Sequence, residues 1–337
     1  MNAPLIIAEA GVNHNGDVAR ALAMVAAAAA AGADVVKFQA FSASGLVAQG
    51  TGTAAYQSAN TGESDQIALL KSLELSIADF KRLATACDAA KIEFLCTAFD
   101  VGLLRQLIDL GMRRIKIPSG ELTNDPMLRE AGALGLPVIL STGMATLDEV
   151  RHAVDVLREA CARDITVLHC TSLYPAPDAA LNLRAMATMG DALELPFGYS
   201  DHSLGDHVPV AATALGAMMI EKHFTLDRGL PGPDHAASLE PDELRDMIAK
   251  VKAVAAALGD GTKRPAPGEA DTAMLVRRSW HAARDLAEGT VLSSSDLVLK
   301  RPAKGASPAL NLVGRKLLHA RRRDAVIAAE DVVAADG

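Results

Sequence analysis

Short runs of apolar, often β-branched residues alternate along this chain with longer amphipathic stretches, the sequence form of repeated strand and helix units around a parallel sheet. Eight such runs are legible: Leu5 to Glu9, Asp34 to Gln39, Glu93 to Thr97, Arg113 to Pro118, Pro137 to Ser141, Thr166 to Cys170, Leu195 to Ser200 and Ala217 to His223. Each is followed by a polar or glycine-containing turn and a helical pattern, such as Asp17 to Ala31 or Leu147 to Ala162. Eight units over about 260 residues predict a closed (β/α)8 TIM barrel, with a doubly wound open sheet as the alternative. The last barrel helix is predicted from Pro241, a good first-turn residue, to Leu258.

Beyond that helix the pattern breaks at the Gly, Pro and Lys-rich stretch 259–268, so residues 1–260 read as the barrel and 261–276 as a linker. Residues 277–337 read as a small module of short strands, in which the phrase around Gly289 to Val298 is echoed by Asp324 to Val333. A core that small is at the low end of independent stability.

Composition narrows the picture further. Half the residues are hydrophobic but only 3 % are aromatic, which suits a barrel packed with Ala, Val, Leu, Ile and Met. A net charge of −8 argues against nucleic acid or an anionic membrane as partner, so any anionic ligand must meet local positive charge. The four cysteines, Cys87, Cys96, Cys161 and Cys170, lack CxxC spacing and read as reduced thiols of a cytoplasmic protein. No apolar stretch is long enough to predict secretion or a membrane span.

In barrels of this kind chemistry collects where strands end, because the following loops converge on one rim. The predicted ends carry Glu9, Lys37, Gln39, Thr97, Lys116, Ser119, Ser141, Thr171, Ser172, Ser200, Asp201, His202, Glu221 and His223. His202 and His223, from adjacent strands, suit one ion of Mn, Mg, Zn or Fe with water or substrate oxygen completing the shell. Lys37 and Lys116 lie on apolar strands, where an ammonium must be paired or bind an anion. With Thr97, Ser119, Ser141 and Ser200 as hydroxyl donors they form a clamp for a phosphorylated acid, or else they are salt-bridged to Glu9 or Glu121. Lys116 or Lys222 as a Schiff-base nucleophile, the aldolase alternative, is also open.

The phrases IIAEAGVNHNG (6–16), GADVVKFQAF (32–41), IKIPSGE (115–121), STGMA (141–145), HCTSLYPAP (169–177), GYSDHSLG (198–205) and EKHFTLDRGLPGPDHAASLEP (221–241) together resemble the sialic acid synthase family. The segment from Arg277 resembles the antifreeze-like SAF domain, a β-clip, that closes those enzymes. The resemblance implies metal-dependent condensation of phosphoenolpyruvate with an N-acyl hexosamine, usually N-acetylmannosamine, to a nine-carbon 2-keto sugar acid and phosphate. Relatives making legionaminic or pseudaminic acid from a 2,4-diacetamido-6-deoxyhexose are the alternative. It further implies Mn or Mg on His202 and His223, with Glu9 as the third catalytic residue. Phosphoenolpyruvate is implied on Lys37, Thr97, Lys116, Ser119, Ser141 and Ser200, and the sugar on Gln39, Phe99, Tyr174 and Asp234. Arg322 from the small domain of a partner subunit implies a domain-swapped homodimer. Two departures bear on the sugar: Ser172 stands where some members have Asn, and the family's Asn-x-Arg reads Ala320-Arg321-Arg322 here, beside Arg323.

Overall fold

A computed structural model describes residues 3–335. Eight parallel strands follow in order, β1 (Leu5–Gly11), β2 (Val35–Ala40), β3 (Glu93–Ala98), β4 (Ile115–Ile117), β5 (Val138–Ser141), β6 (Ile165–Cys170), β7 (Phe197–Asp201) and β8 (Met219–His223). Each pairs with the next and β8 closes on β1, with Leu5 opposite Met219 and Glu9 opposite His223. That closure makes the fold a TIM-type barrel and removes the open-sheet alternative.

Local chemistry fixes the helices that follow the strands. Asp17 accepts hydrogen bonds from the amides of Ala19 and Arg20 to start the helix Val18–Ala31, and Gly32, at φ 86°, ends it. Thr146 and Glu149 form a reciprocal capping box ahead of Leu147–Glu159. Pro241 opens Pro241–Leu258, as its fixed φ favours. The apolar faces of these helices pack on the outer face of the sheet, so Leu104, Leu107, Phe80 and Met247 are buried. Each such side chain contributes about 1.5–3 kcal/mol.

Between β2 and β3 the chain makes a detour of short helices before the regular barrel helix Ile77–Ala90. The periodicity of the strands does not announce it. Two of these helices, Ala55–Thr61 and Gln66–Leu73, carry side chains toward the rim. Asp65 caps the second, accepting from the amides of Ile67 and Ala68.

The chain divides into compact units at Asp260 and Gly261. In the second unit, residues 269–276 form a helix within the stretch expected to be a linker. Two antiparallel ribbons follow: β9 (Ser279–Ala282) with β10 (Leu297–Lys300), and β11 (Arg315–Leu317) with β12 (Val332–Ala334). The internal echo has a structural counterpart. Asp296 and Asp331 each accept a backbone amide at the start of the 3-10 turn that feeds β10 or β12, and each also binds an arginine, Arg284 or Arg321. Leu286, Leu292, Leu312, Leu317 and Ile327 make this unit's own core. Among the described residues no helix is long and apolar enough to cross a membrane.

Candidate active site

Period-two alternation along the barrel strands does most of the placement, because residues two apart share a face. Glu9, Lys37, Lys116, Ser141, Ser200 and Glu221 point into one cavity of about 360 Å3 at the C-terminal ends of the strands. Two residues further on, Gln39 and His223 reach the same cavity from β2 and β8, and His202 from just past β7. Thr97 and Phe99 come from the end of β3, Ser119 from the turn after β4, Tyr174 from the loop after β6 and Asp234 from the loop after β8. Ser172 joins them, whereas Thr171 and Asp201, also among the predicted strand ends, do not line the cavity. Arg322 lies in the second unit, where it is exposed; its neighbour Arg321 is paired with Asp331.

At the deep pole the charges interlock. Lys37 Nζ is 2.9 Å from Glu9 Oε2 and 3.6 Å from Glu221 Oε1, and it donates to Thr97 Oγ1 at 3.1 Å. Lys116 Nζ is 3.7 Å from the same Glu221 oxygen and donates to Ser141 Oγ at 2.6 Å. Ser200 Oγ donates to Glu221 Oε1 at 3.0 Å, and Gln39 Nε2 donates to Glu9 Oε1 at 3.0 Å. Burial pushes the Glu9 carboxyl up to about 7 against the pull of Lys37. Burial also raises Glu221, but Lys116 and Lys37 outweigh it and hold that carboxyl below its usual range. A raised Glu9 beside an ionised Glu221 leaves the two lysines less fully neutralised than two ionised carboxylates would, although burial lowers Lys116, and this suits the pole to an anion.

Glu221 is the residue that motif reasoning undervalued. It bridges both lysines, and the signal for it was its position two residues before His223 on one strand. Gly143 is another. Its amide donates to Ser119 Oγ at 2.9 Å, and a Cβ there would fall 2.3 Å from Ser172 Oγ and 2.9 Å from Ser119 Oγ. Only a residue without a side chain leaves this cradle of hydroxyls open.

At the other pole the two imidazoles meet edge to face, with ring centroids 5.3 Å apart. His202 Nδ1 donates to the Thr171 carbonyl at 2.8 Å, which in the neutral ring leaves Nε2, 3.1 Å from the Tyr174 hydroxyl, as the acceptor. Tyr174 stacks on His202 at 4.1 Å. Burial and the neighbouring His202 hold His223 well below the usual imidazole range, and its buried Nδ1 has no hydrogen-bond partner. A neutral imidazole with an unbonded ring nitrogen beside a second whose acceptor nitrogen faces the cavity suits a divalent ion. Among the described residues no cluster of three or more His, Cys, Asp or Glu side chains has metal-binding geometry, so remaining ligands on such an ion would be oxygens of water or substrate.

Lys222 does not fill the nucleophile role left open for it. Its ammonium is fully buried on the outer face of β8, 2.6 Å from Asp201 Oδ2, and it does not line the cavity. Side chains at odd and even positions of β8 face opposite ways, so Lys222 cannot follow its neighbours Glu221 and His223 into the lumen.

The model of the NeuB family matches residues 24–263, and that of the SAF domain matches residues 277–333. The chain belongs to the NeuB family. This NeuB-family chain is 46 % identical over 319 residues to the N,N'-diacetyllegionaminic acid synthase of Legionella pneumophila, covering 93 % of the chain and 90 % of that protein. It is 44 % identical to the synthase of the same name from Campylobacter jejuni, covering 91 % and 93 %. Among solved structures, the N-acetylneuraminic acid (sialic acid) synthetase of Leptospira borgpetersenii in complex with citrate matches with a TM-score of 0.74 at 36 % identity, covering 80 % of this chain and 90 % of that one. The resemblance to sialic acid synthases with a terminal SAF module therefore holds, and the NeuB-family chain is an enzyme, a transferase of the sialic-acid-synthase type. The expectation that N-acetylmannosamine is the sugar is shifted: the more similar relatives carry the name of the diacetyllegionaminic product.

Proposed function

We propose that this enzyme condenses phosphoenolpyruvate with a 2,4-diacetamido-6-deoxyhexose, yielding a legionaminic-type nine-carbon 2-keto sugar acid and phosphate. The observation that carries the reaction is the polarity of the cavity at the strand ends, with two lysines and four hydroxyls at one pole and a pair of imidazoles at the other. The identity to diacetyllegionaminic synthases supports the sugar. N-acetylmannosamine is the second reading, favoured by the likeness to the Leptospira synthetase.

Lys37, Thr97, Lys116, Ser119, Ser141 and Ser200 hold the phosphate and carboxylate by charge-assisted hydrogen bonds. His202 and His223 hold Mn or Mg, and Lewis acidity toward the sugar's aldehyde oxygen is what such an ion supplies when bound. Carbon 3 of phosphoenolpyruvate bonds to the aldehyde carbon, water adds at carbon 2, and phosphate departs with cleavage of its C–O bond. Glu9, partly protonated at neutral pH, is placed to exchange a proton with that water and to steady positive charge at carbon 2. Gln39, Phe99, Tyr174 and Asp234 surround the sugar. Arg322 from a partner's SAF domain completes the site in a domain-swapped homodimer.

Phosphate release separates the readings. With phosphoenolpyruvate and Mn or Mg, the diacetamido deoxyhexose is expected to be turned over faster than N-acetylmannosamine, and chelation of the metal to stop the reaction. Borohydride is expected to trap no adduct. Activity that survives chelator, or a borohydride-trapped lysine, sinks the synthase mechanism and restores the aldolase.

A smaller change tests the anion pole. Gly143→Ala pushes a methyl group into the Ser119 and Ser172 hydroxyls. Misplacing such groups by a fraction of an ångström is expected to raise KM for phosphoenolpyruvate on the order of tenfold to a hundredfold. Steady-state kinetics with an unchanged KM for phosphoenolpyruvate would remove Gly143 from the anion site.

A further inference from the structure

The cavity has a third wall, and it is apolar. Leu69, Leu70 and Leu73 of the helix Gln66–Leu73 line it, together with Val12 from the turn after β1 and Phe99 from the turn after β3. These side chains belong to a small cluster of their own with Phe41 and Leu46, separate from the barrel core. Phe99 packs edge to face on Phe41 at 6.1 Å, which fixes the wall from behind. Leu69 and Leu73 are almost fully buried, while Leu70 is only partly so.

An anionic cosubstrate has no use for such a surface. Both lysines of the cavity are already engaged with Glu9 and Glu221, and none of the five side chains of the wall offers a charge or a hydrogen-bond donor. A sugar hydroxyl turned toward the leucines would lose water and find no hydrogen-bond partner, and a sugar phosphate would fare worse. A methyl group in the same place is favoured.

We propose that Leu69, Leu70, Leu73, Val12 and Phe99 form the specificity-determining wall of this enzyme, receiving a methyl group that a diacylamino deoxyhexose carries and N-acetylmannosamine lacks. This rests on the reading of the enzyme as a synthase acting on acylated hexosamines. Two parts of the sugar supply that methyl, the deoxygenated carbon 6 and the second acyl group. Discrimination by an apolar contact of this size is on the order of tenfold to two-hundredfold in kcat/KM.

The test compares kcat/KM for four sugars: the 2,4-diacetamido-6-deoxyhexose, its 6-hydroxy counterpart, the 6-deoxy sugar lacking the 4-acetamido group, and N-acetylmannosamine 6-phosphate. Wild type is expected to prefer the first and to reject the phosphate. Leu70→Asn, at the least buried of the three leucines, and Val12→Thr, nearly isosteric and on a different element, are each expected to reduce that preference about tenfold. KM for phosphoenolpyruvate is expected to hold, and Leu70→Met to retain the preference. Which of the two methyl-deficient sugars loses its disadvantage in the variants identifies the group seated on the wall. If both variants fold, as thermal unfolding shows, and slow all sugars by one common factor or none, the wall does not set specificity although the synthase reading stands. Wild type that releases no phosphate with any acylated hexosamine overturns the synthase reading and this inference with it.

Discussion

His202→Ala and His223→Ala are each expected to lower turnover by about a thousandfold or more while leaving the barrel folded. The magnitude follows from what the pair would hold: a Lewis acid is worth several kcal/mol of barrier, and each 1.36 kcal/mol is a factor of ten. The fold should survive because both rings border the cavity rather than the packed layer between sheet and helices. The His202 ring bonds the Thr171 carbonyl and the Tyr174 hydroxyl and stacks on Tyr174; the buried Nδ1 of His223 makes no hydrogen bond. The readouts are phosphate release and, independently of activity, Mn titration followed by electron paramagnetic resonance, in which each variant should lose affinity. An alanine variant with full activity removes its histidine from the site. Lost activity with unaltered Mn binding would leave the ring a role in catalysis but not in holding the ion.

The barrel and the polar side of its cavity were legible because both follow from period two. Each predicted strand appears within a few residues of its expected place, and the polar residues at its end fall on the lumenal face in pairs two apart, as Lys37 and Gln39, Ser200 and His202, or Glu221 and His223 do. What escaped was set by tertiary contact. Asp201 and Lys222 read as companions of the histidines, yet alternation turns them to the other face of the sheet. Gly143 carries no chemistry of its own and matters only because Ser119 and Ser172 crowd it. The apolar wall comes from a detour after β2 whose short helices bury Leu69 and Leu73 against Val12 and Phe41, residues distant in sequence. Sugar selectivity was therefore the least legible property, since the wall proposed to face the sugar is built by the least periodic part of the barrel.

Asp201→Ala is expected to destabilise the protein by ~3–5 kcal/mol, the range found when one partner of a buried ion pair is removed. Lys222 Nζ is 2.6 Å from Asp201 Oδ2 and 2.5 Å from the Ser203 carbonyl, and neither charged side chain reaches solvent. Asp201 Oδ1 also accepts the Ser203 amide at 3.0 Å, so one carboxylate ties the end of β7 both to β8 and to its own loop. Removing it strands an ammonium beside a single carbonyl. Asp201 immediately precedes His202 and Lys222 immediately precedes His223, so the pair cross-links the two histidine-bearing strands from the outer face. Removing both charges should cost less than removing one, because no unpaired charge is then left buried. The Asp201→Ala/Lys222→Met double variant is accordingly expected to recover part of the lost stability in urea unfolding. A double variant no more stable than Asp201→Ala would mean that lost packing, rather than the stranded charge, sets the cost.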